Sequence, residues 1–246
     1  MAQLIKNPKR IAKDHISLFI EMDGTEPLPG QFVNIKIGSD SDPLIRRPFS
    51  VYNYENNLYE LVVRIVGRGT EIISEMKPGP IDILGPLGKG FTIIESGHAL
   101  LVGGGVGNAP LYFLARALKE KGVAVTCIYG AASKEFIYKL DDFEKICDTV
   151  HVTTDDGSQG VKGFSTDLMK DLVAETKFDM IYTCGPEVMM AGVTKISGDI
   201  SLEVSMENYF GCGVGICSGC VFDTPDGYKR ACVDGPVYNG KEVIWS

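Results

Sequence analysis

Residues 99–110 read Ala-Leu-Leu-Val-Gly-Gly-Gly-Val-Gly-Asn-Ala-Pro. An apolar strand runs directly into glycines, and a helical pattern over about 109–121 follows. Such a turn lets a dinucleotide pyrophosphate approach the backbone and the helix N-terminus. Pro110 stands where the G-x-G-x-x-G fingerprint has its third glycine, so we expect a cofactor that binds reversibly and does not stay permanently bound. The residues predicted to contact it are Gly103, Gly104, Gly105 and Gly107.

The strand and helix pattern continues on the C-terminal side of this turn. We predict strands at 123–129, 149–154, 179–183 and 200–204. The helices predicted between them lie at about 139–147, 164–175 and 187–197. Strands that alternate with helices in this way are typical of a doubly wound parallel sheet.

The sequence on the N-terminal side of the turn has a different hydrophobic pattern. Short period-two segments at 31–37, 58–66 and 81–84 are separated by proline and glycine, which predicts a small antiparallel β-barrel. The predicted fold class is therefore α/β plus β-barrel. We expect three parts: a barrel over 1–95, a nucleotide-binding α/β domain over 96–203, and a small C-terminal segment over 204–246.

The C-terminal segment is defined by its cysteines. Cys212, Cys217 and Cys220 form a C-x4-C-x2-C motif, and Cys232 follows after eleven residues. This is the spacing typical of a plant-type [2Fe–2S] site. The interleaved glycines suit such a site, because they let the backbone turn its N–H groups toward anionic sulfur. The four cysteines are the predicted metal ligands.

The same four cysteines could serve in two other ways. A zinc site usually combines two short Cys or His pairs, yet here there is one C-x2-C and no histidine after His151. Two disulfides are a second alternative. The chain begins without an apolar signal segment, so we expect a reducing cytoplasm, where disulfides are rare. Cys127, Cys147 and Cys184 lie in apolar stretches and are by default buried thiols.

Composition excludes two classes of partner. The net charge is −8, and no basic run is present, which argues against nucleic acid. The longest apolar stretches fall far short of the roughly 20 residues that a membrane-spanning helix needs, so no membrane span is expected. With 246 residues and 44% hydrophobic content, the chain can bury the cores of two domains plus an appendage.

Two motifs in the barrel indicate a flavin. The first motif is Arg46-Arg47-Pro48-Phe49-Ser50-Val51; its arginine can pair with a pyrophosphate, and its serine can hydrogen-bond the edge of a flavin ring. The second motif is Gly67-Arg68-Gly69-Thr70, which begins a helix whose N-terminus can bind a phosphate. With these motifs the whole chain resembles the ferredoxin-NADP reductase superfamily.

The cysteine segment restricts the resemblance to one family within this superfamily. With that segment included, the chain resembles the electron-transfer subunits of the two-subunit, NAD-dependent dihydroorotate dehydrogenases. The matching stretches are 44–50, 85–91, Cys184-Gly185-Pro186, 206–220 and 229–238. One departure is Ser218-Gly219, where that family often has alanine, a change that could alter hydrogen bonds to sulfur without removing a ligand.

The resemblance implies a set of cofactors and partners. FAD would lie against Arg47, Pro48, Phe49, Ser50, Val62, Val63, Arg64, Gly69 and Thr70, and NAD(H) against the glycine turn and Cys184, Gly185 and Pro186. NAD takes two electrons as hydride and a [2Fe–2S] cluster passes one, so FAD would convert between them. The partner would be an FMN-containing catalytic subunit of pyrimidine biosynthesis, in a heterotetramer of two plus two. No side chain is predicted as a nucleophile.

Three alternatives to this function remain. One is the small subunit of an NADH-dependent ferredoxin:NADP oxidoreductase or sulfide dehydrogenase, whose members generally lack the Arg-Arg-Pro-x-Ser signature. Another is a stand-alone NADH-dependent reductase of an oxygenase, although only about 45 residues are left here for a ferredoxin-like part. The third is a redox sensor or cluster carrier, which would leave the flavin motifs without purpose.

Overall fold

A computed structural model describes residues 2–38 and 43–245. The N-terminal part is an antiparallel half-barrel with one helix, α1, packed against it. Its elements in chain order are β1 (Ala2–Leu4), β2 (Lys9–Ala12), β3 (His15–Met22), β4 (Phe32–Ile35), β5 (Arg47–Glu55), β6 (Leu58–Arg64), α1 (Arg68–Glu75), β7 (Gly79–Pro80) and β8 (Ile83–Leu87). The strand order is β7-β1-β3-β6-β5-β4-β8, and β2 pairs with β3.

The second part is a sheet with helices on its faces. Its elements are β9 (His98–Gly104), α2 (Asn108–Glu120), β10 (Ala124–Ala131), α3 (Leu140–Ile146), β11 (Thr149–Thr154), β12 (Val161–Lys162), α4 (Ser165–Glu175), β13 (Met180–Cys184), α5 (Glu187–Ile196) and β14 (Ser201–Ser205). The strand order is β12-β11-β10-β9-β13-β14, and all these pairs are parallel. The predicted doubly wound arrangement is confirmed.

The C-terminal segment contributes to this second sheet. After the cysteine loop, β15 (Val221–Thr224) and β16 (Gly227–Arg230) form a hairpin. The chain then returns as β17 (Val237–Asn239), which pairs antiparallel with β14. The predicted division between residues 203 and 204 falls within β14, so the segment and the nucleotide domain are joined by shared backbone hydrogen bonds as well as by the chain. The domain boundaries stay a prediction.

The two main parts share a packed interface. Tyr52 of β5 stacks on Tyr112 of α2 with ring centroids 4.5 Å apart and planes 10° from parallel. The largest buried cluster accordingly includes Tyr52 and Val62 of the half-barrel beside side chains of the second sheet. Across residues 2–38 and 43–245, no helix has the length and hydropathy to cross a bilayer.

Candidate functional site

A cavity of about 390 Å³ lies where the half-barrel, the glycine turn and the segment after β14 meet. We call it the interdomain cavity. It is lined by Phe32, Arg47, Pro48, Phe49, Ser50, Val62, Arg64, Val66, Thr70, Val106, Ala109, Ser205, Met206, Glu207, Asn208, Phe210 and Pro236. Residues from all three parts of the chain therefore converge on one space.

Most of the predicted flavin residues line this cavity. Seven of the nine do so: Arg47, Pro48, Phe49, Ser50, Val62, Arg64 and Thr70. Val63 is an exception, because adjacent strand residues point to opposite faces, and its side chain is buried in the core of the half-barrel. Gly69 is the other; a Cβ there would lie 3.1 Å from Nε of Arg47, so this glycine leaves room for the guanidinium.

The cavity has a positively polarised end at the start of α1. The side-chain oxygen of Thr70 accepts the backbone N–H groups of Val66 at 2.9 Å and Gly67 at 3.2 Å, which fixes the turn before the helix. A helix N-terminus carries partial positive charge. Arg47 lies beside it, and its Nη1 donates to the carbonyl of Ile45 at 2.5 Å. This end of the cavity suits an anionic group such as a pyrophosphate.

The opposite side of the cavity carries a carboxyl group. Glu207 follows β14 and lines the cavity, where its side chain is exposed although protein atoms surround it. Burial raises the pKa of this carboxyl, and the charge of Arg64 only partly opposes the shift. Nearby, burial raises the pKa of the Cys184 thiol, and the Glu207 carboxylate adds to that shift. The pKa values of the Glu207 carboxyl and the Cys184 thiol are therefore both shifted upward.

The glycine turn packs tightly against the turn that follows β13. A Cβ at Gly104 would lie 2.6 Å from the sulfur of Met189, and one at Gly107 would lie 2.4 Å from the carbonyl oxygen of Cys184. Gly185 and Pro186 belong to the same contact, whereas Gly103 packs against Asn108 and Leu111 of α2. Gly105 differs, because it has φ +58° and open space around it. The two turns lie at the carboxyl ends of β9 and β13, the usual ligand edge of a parallel sheet.

The four C-terminal cysteines lie as two pairs. The thiol of Cys212 contacts that of Cys217, and the thiol of Cys232 contacts that of Cys220. All seven cysteines of the chain are free thiols. In the described ranges, no three histidine, cysteine or acidic side chains converge on the position of a single metal ion. Two pairs fit a two-iron cluster, in which each iron needs two thiolates.

Backbone N–H groups point at the first of these sulfurs. Sγ of Cys212 accepts from Val214 at 3.4 Å, Ile216 at 3.3 Å and Cys217 at 3.4 Å. Desolvation opposes ionisation, but these bonds prevail and lower the pKa of the Cys212 thiol to about 6. Desolvation and the neighbouring Cys220 instead raise the pKa of Cys232 to about 12. The loop thus favours the thiolate form of Cys212.

One layer of side chains separates the cysteines from the interdomain cavity. Phe32 and Phe210 line the cavity and also pack with Cys220 and Cys232 in one buried cluster. Their rings lie 4.9 Å apart. Beside them Asn34, which is fully buried on β4, donates from Nδ2 to the carbonyl of Cys212 at 3.2 Å. The cavity and the paired thiols are therefore neighbours.

Several of these residues have no motif that would have singled them out. Glu207, Phe210 and Asn34 acquire a role only when β14, β4 and the cysteine loop are brought together. For Glu207 a weak signal existed, since it lies shortly after the strand predicted at 200–204 and ligands bind at the carboxyl ends of parallel strands.

Comparison with known proteins adds two family matches. Residues 207–244 match the iron-sulfur cluster binding domain of dihydroorotate dehydrogenase B. Residues 101–195 match an oxidoreductase NAD-binding domain.

Full-length relatives are also found. The chain is 41% identical to the "Dihydroorotate dehydrogenase B (NAD(+)), electron transfer subunit" of Geobacillus sp. strain WCH70, over 96% of this chain and 95% of that protein. It is 40% identical to the protein of the same name from Fusobacterium nucleatum, over 95% of this chain and 94% of that one. Among solved structures, a chain of an NADH-dependent reduced ferredoxin-NADP oxidoreductase, studied for flavin-based electron bifurcation, superposes with a TM-score of 0.90 at 38% identity. That match covers 100% of this chain and 90% of the other.

Proposed function

This chain belongs to the family of dihydroorotate dehydrogenase B electron transfer subunits, and we propose that it links the FMN of a catalytic subunit to NAD in pyrimidine biosynthesis. It does so through a [2Fe–2S] cluster and FAD. One observation carries this proposal: the paired cysteines lie next to the interdomain cavity, and the glycine turn forms part of the wall of that cavity. Phe32 and Phe210 separate the first two, and Val106 of the turn lines the cavity.

The cavity residues fit FAD. Arg47 and the N-terminus of α1 would hold the pyrophosphate, because both supply positive charge at one end of the cavity. Pro48, Phe49 and Val62 give the cavity apolar surface for a flat ring. When bound, FAD exchanges two electrons with NAD and single electrons with the cluster.

The cysteine residues fit a [2Fe–2S] cluster. Cys212 and Cys217 would hold one iron, and Cys220 and Cys232 the other, because the thiols already lie in those pairs. The N–H groups around Cys212 stabilise negative charge on its sulfur. Phe32 and Phe210 exclude water between this site and the cavity.

The remaining groups serve hydride exchange with NAD. Gly105 leaves the backbone open to a pyrophosphate at the turn, and the tight packing of Gly104 and Gly107 holds the turn in place. The Glu207 carboxyl lines the cavity, and desolvation raises its pKa. A carboxyl in this position can exchange a proton at its Oε atoms with a ring bound in the cavity. No nucleophile is needed.

The catalytic partner is an FMN-containing dihydroorotate dehydrogenase subunit. The names of the relatives support this, since an electron transfer subunit requires one that supplies electrons. We propose a heterotetramer of two catalytic and two electron-transfer subunits, located in the cytoplasm.

A second function is favoured by the structural match at 38% identity to the ferredoxin-NADP oxidoreductase. In that function the chain would pass electrons between NADH and a partner that reduces ferredoxin. The curated relatives over nearly the full length favour the dihydroorotate function.

The test is reconstitution with an FMN-binding catalytic subunit encoded by the same genome. We expect the anaerobic complex to form NADH from dihydroorotate and NAD. A complex carrying Cys232→Ser should lose this reaction but still reduce an artificial acceptor at FAD with NADH. A complex that forms no NADH from dihydroorotate, yet reduces ferredoxin with NADH, would establish the second function instead.

A further inference from the structure

We propose that Tyr138 is a positioning residue for the nicotinamide dinucleotide: its hydroxyl holds the glycine turn in place at the wall of the interdomain cavity. The inference rests on the proposed function, because it takes NADH to bind at that turn. Tyr138 matches no motif, and it lies in the connection between β10 and α3, outside both cofactor sites.

The first step of the argument is the contact between Tyr138 and the turn. Its hydroxyl donates to the carbonyl oxygens of Val106 at 3.1 Å and Gly105 at 3.3 Å, a shared bond. Nδ2 of Asn108 donates to the same Gly105 carbonyl at 2.8 Å. Because Val106 lines the interdomain cavity, a shift of this turn moves one side of the cavity.

The second step is that Tyr138 is itself immobile. Its side chain is 1% exposed. The hydroxyl of Tyr129 donates to its carbonyl at 2.9 Å and accepts its N–H at 3.2 Å, so the backbone is held on both sides. The ring stacks on His15 with centroids 4.9 Å apart and planes at 26°.

The third step connects this stack to the opposite side of the cavity. His15 is on β3, where its backbone is in register with Arg64 of β6. Arg64 lines the interdomain cavity. A continuous path of contacts therefore runs from Arg64 through His15 and Tyr138 to Val106, and it spans the cavity from the half-barrel to the turn.

The fourth step is that other contacts fasten this connection and the start of α3 to the half-barrel. Nζ of Lys139 lies 2.9 Å from the carboxylate of Glu60, and the hydroxyl of Tyr52 donates to Asp142 at 2.9 Å. Lys13 pairs with Glu135 at 2.5 Å. Loss of the Tyr138 hydroxyl would leave all three contacts in place, so it loosens the turn without loosening the connection.

The test is Tyr138→Phe in the FAD- and cluster-loaded protein. The variant keeps the stacked ring and removes the two contacts to the turn. The matched control is Tyr59→Phe, which removes a bond of the same kind, from a buried tyrosine hydroxyl to the backbone carbonyl of Thr25 at 3.0 Å, within the half-barrel.

The measurement is anaerobic stopped-flow reduction of FAD at a series of NADH concentrations. We expect Tyr138→Phe to raise the NADH concentration at half-maximal rate about two- to tenfold, the range for loss of one hydrogen bond, and to lower the limiting rate. FAD content, iron content and thermal midpoint should match those of Tyr59→Phe, which should keep the wild-type concentration dependence.

Two results would overturn the assignment while leaving the proposed function intact. One is wild-type NADH dependence in Tyr138→Phe, and the other is an equal shift in Tyr59→Phe. If NADH fails to reduce FAD in the wild-type protein, the proposed function is wrong, and the role assigned to Tyr138 is then wrong as well.

Discussion

At the scale of single residues, the pairing of the thiols leads to the first prediction. Cys232→Ser should remove most of the iron, because it removes one sulfur of the Cys220–Cys232 pair. FAD should remain bound on the half-barrel. Iron and flavin content per chain are the measurements. Cys127→Ser is the matched control, since Cys127 is also fully buried but lies on β10 beside Cys147. Equal iron loss in both variants would contradict the ligand assignment.

Coenzyme choice is also decided by single residues. NADP-specific sites usually supply cationic groups near the end of the second strand, and here Lys134 lies there. The Oγ atom of Ser158 accepts the backbone N–H of Lys134 at 2.7 Å and donates to the Asp156 carboxylate at 2.6 Å. The Asp156 carboxylate therefore lies near the backbone of Lys134. Hydrogen bonds from Ser158 lower the pKa of Asp156, which keeps it anionic.

The second prediction follows from that charge. The protein should use NADH in preference to NADPH, because the Asp156 carboxylate repels a 2′-phosphate. Asp156→Ala should improve kcat/KM for NADPH by up to about fivefold, as an exposed charge contributes at most about 1 kcal/mol. NADH kinetics with an artificial acceptor serve as the reference. A wild-type preference for NADPH would reverse the coenzyme assignment.

At the scale of elements, β4 links the two cofactor sites. Asn34 is in register with Pro48 of the flavin-side strand, and its side chain reaches the cysteine loop. Gly213, with φ +74°, approaches so closely that a Cβ there would lie 2.5 Å from Nδ2 of Asn34. The strand therefore fixes where the loop begins relative to the cavity.

The third prediction tests this link. Asn34→Leu keeps a side chain of similar size but cannot donate to Cys212, so the first part of the loop should loosen and iron should be lost faster on dialysis against a chelator. Flavin retention should be unchanged, since Asn34 does not line the cavity. Asn53→Leu, at another asparagine of the half-barrel, is the control. Unchanged iron loss in Asn34→Leu would rule out an anchoring role.

The elements also show how far the sequence could be interpreted. Predicted parallel strands and helices match the observed bounds within one or two residues, because their buried faces have clear periodicity and their turns contain glycine. The eight-residue β3 was missed. Its sequence alternates apolar Ile16, Leu18, Ile20 and Met22 with polar His15, Ser17 and Glu21, so the period-two signal is present and only Phe19 interrupts it. The cysteine ligands came from spacing alone, whereas Glu207 and Asn34 required the topology.

At the scale of the whole molecule, a buried histidine makes stability depend on pH. His15 is 1% exposed and lies between the half-barrel and Tyr138. Burial lowers its pKa, the Lys13 carbonyl opposes this, and Arg64 adds to the lowering. The unfolded chain therefore binds a proton below about pH 6.5 that the folded chain does not.

The fourth prediction is the resulting loss of stability in acid. The free energy of unfolding should fall as pH drops below about 6.5, with His15 contributing no more than about 1.4 kcal/mol per pH unit. His15→Phe keeps an aromatic ring on Tyr138 and should flatten this part of the profile. Denaturant titrations at several pH values give the slopes. His151→Phe, on β11, is the reference variant, and an identical profile for His15→Phe and wild type would exclude the assignment.

The antiparallel pairing of β17 with β14 has a consequence for how the chain is made. The ribosome delivers β14 before the cysteine loop and β17 after it, so the sheet edge at Ser201–Ser205 has no partner strand while the four cysteines emerge. Val237 and Tyr238, buried in the folded protein, can cover that edge only at the end of synthesis. The nascent nucleotide domain is thus completed last by residues that follow the four cysteines in the chain, and a chain that stalls within the loop exposes an open strand to chaperones and proteases.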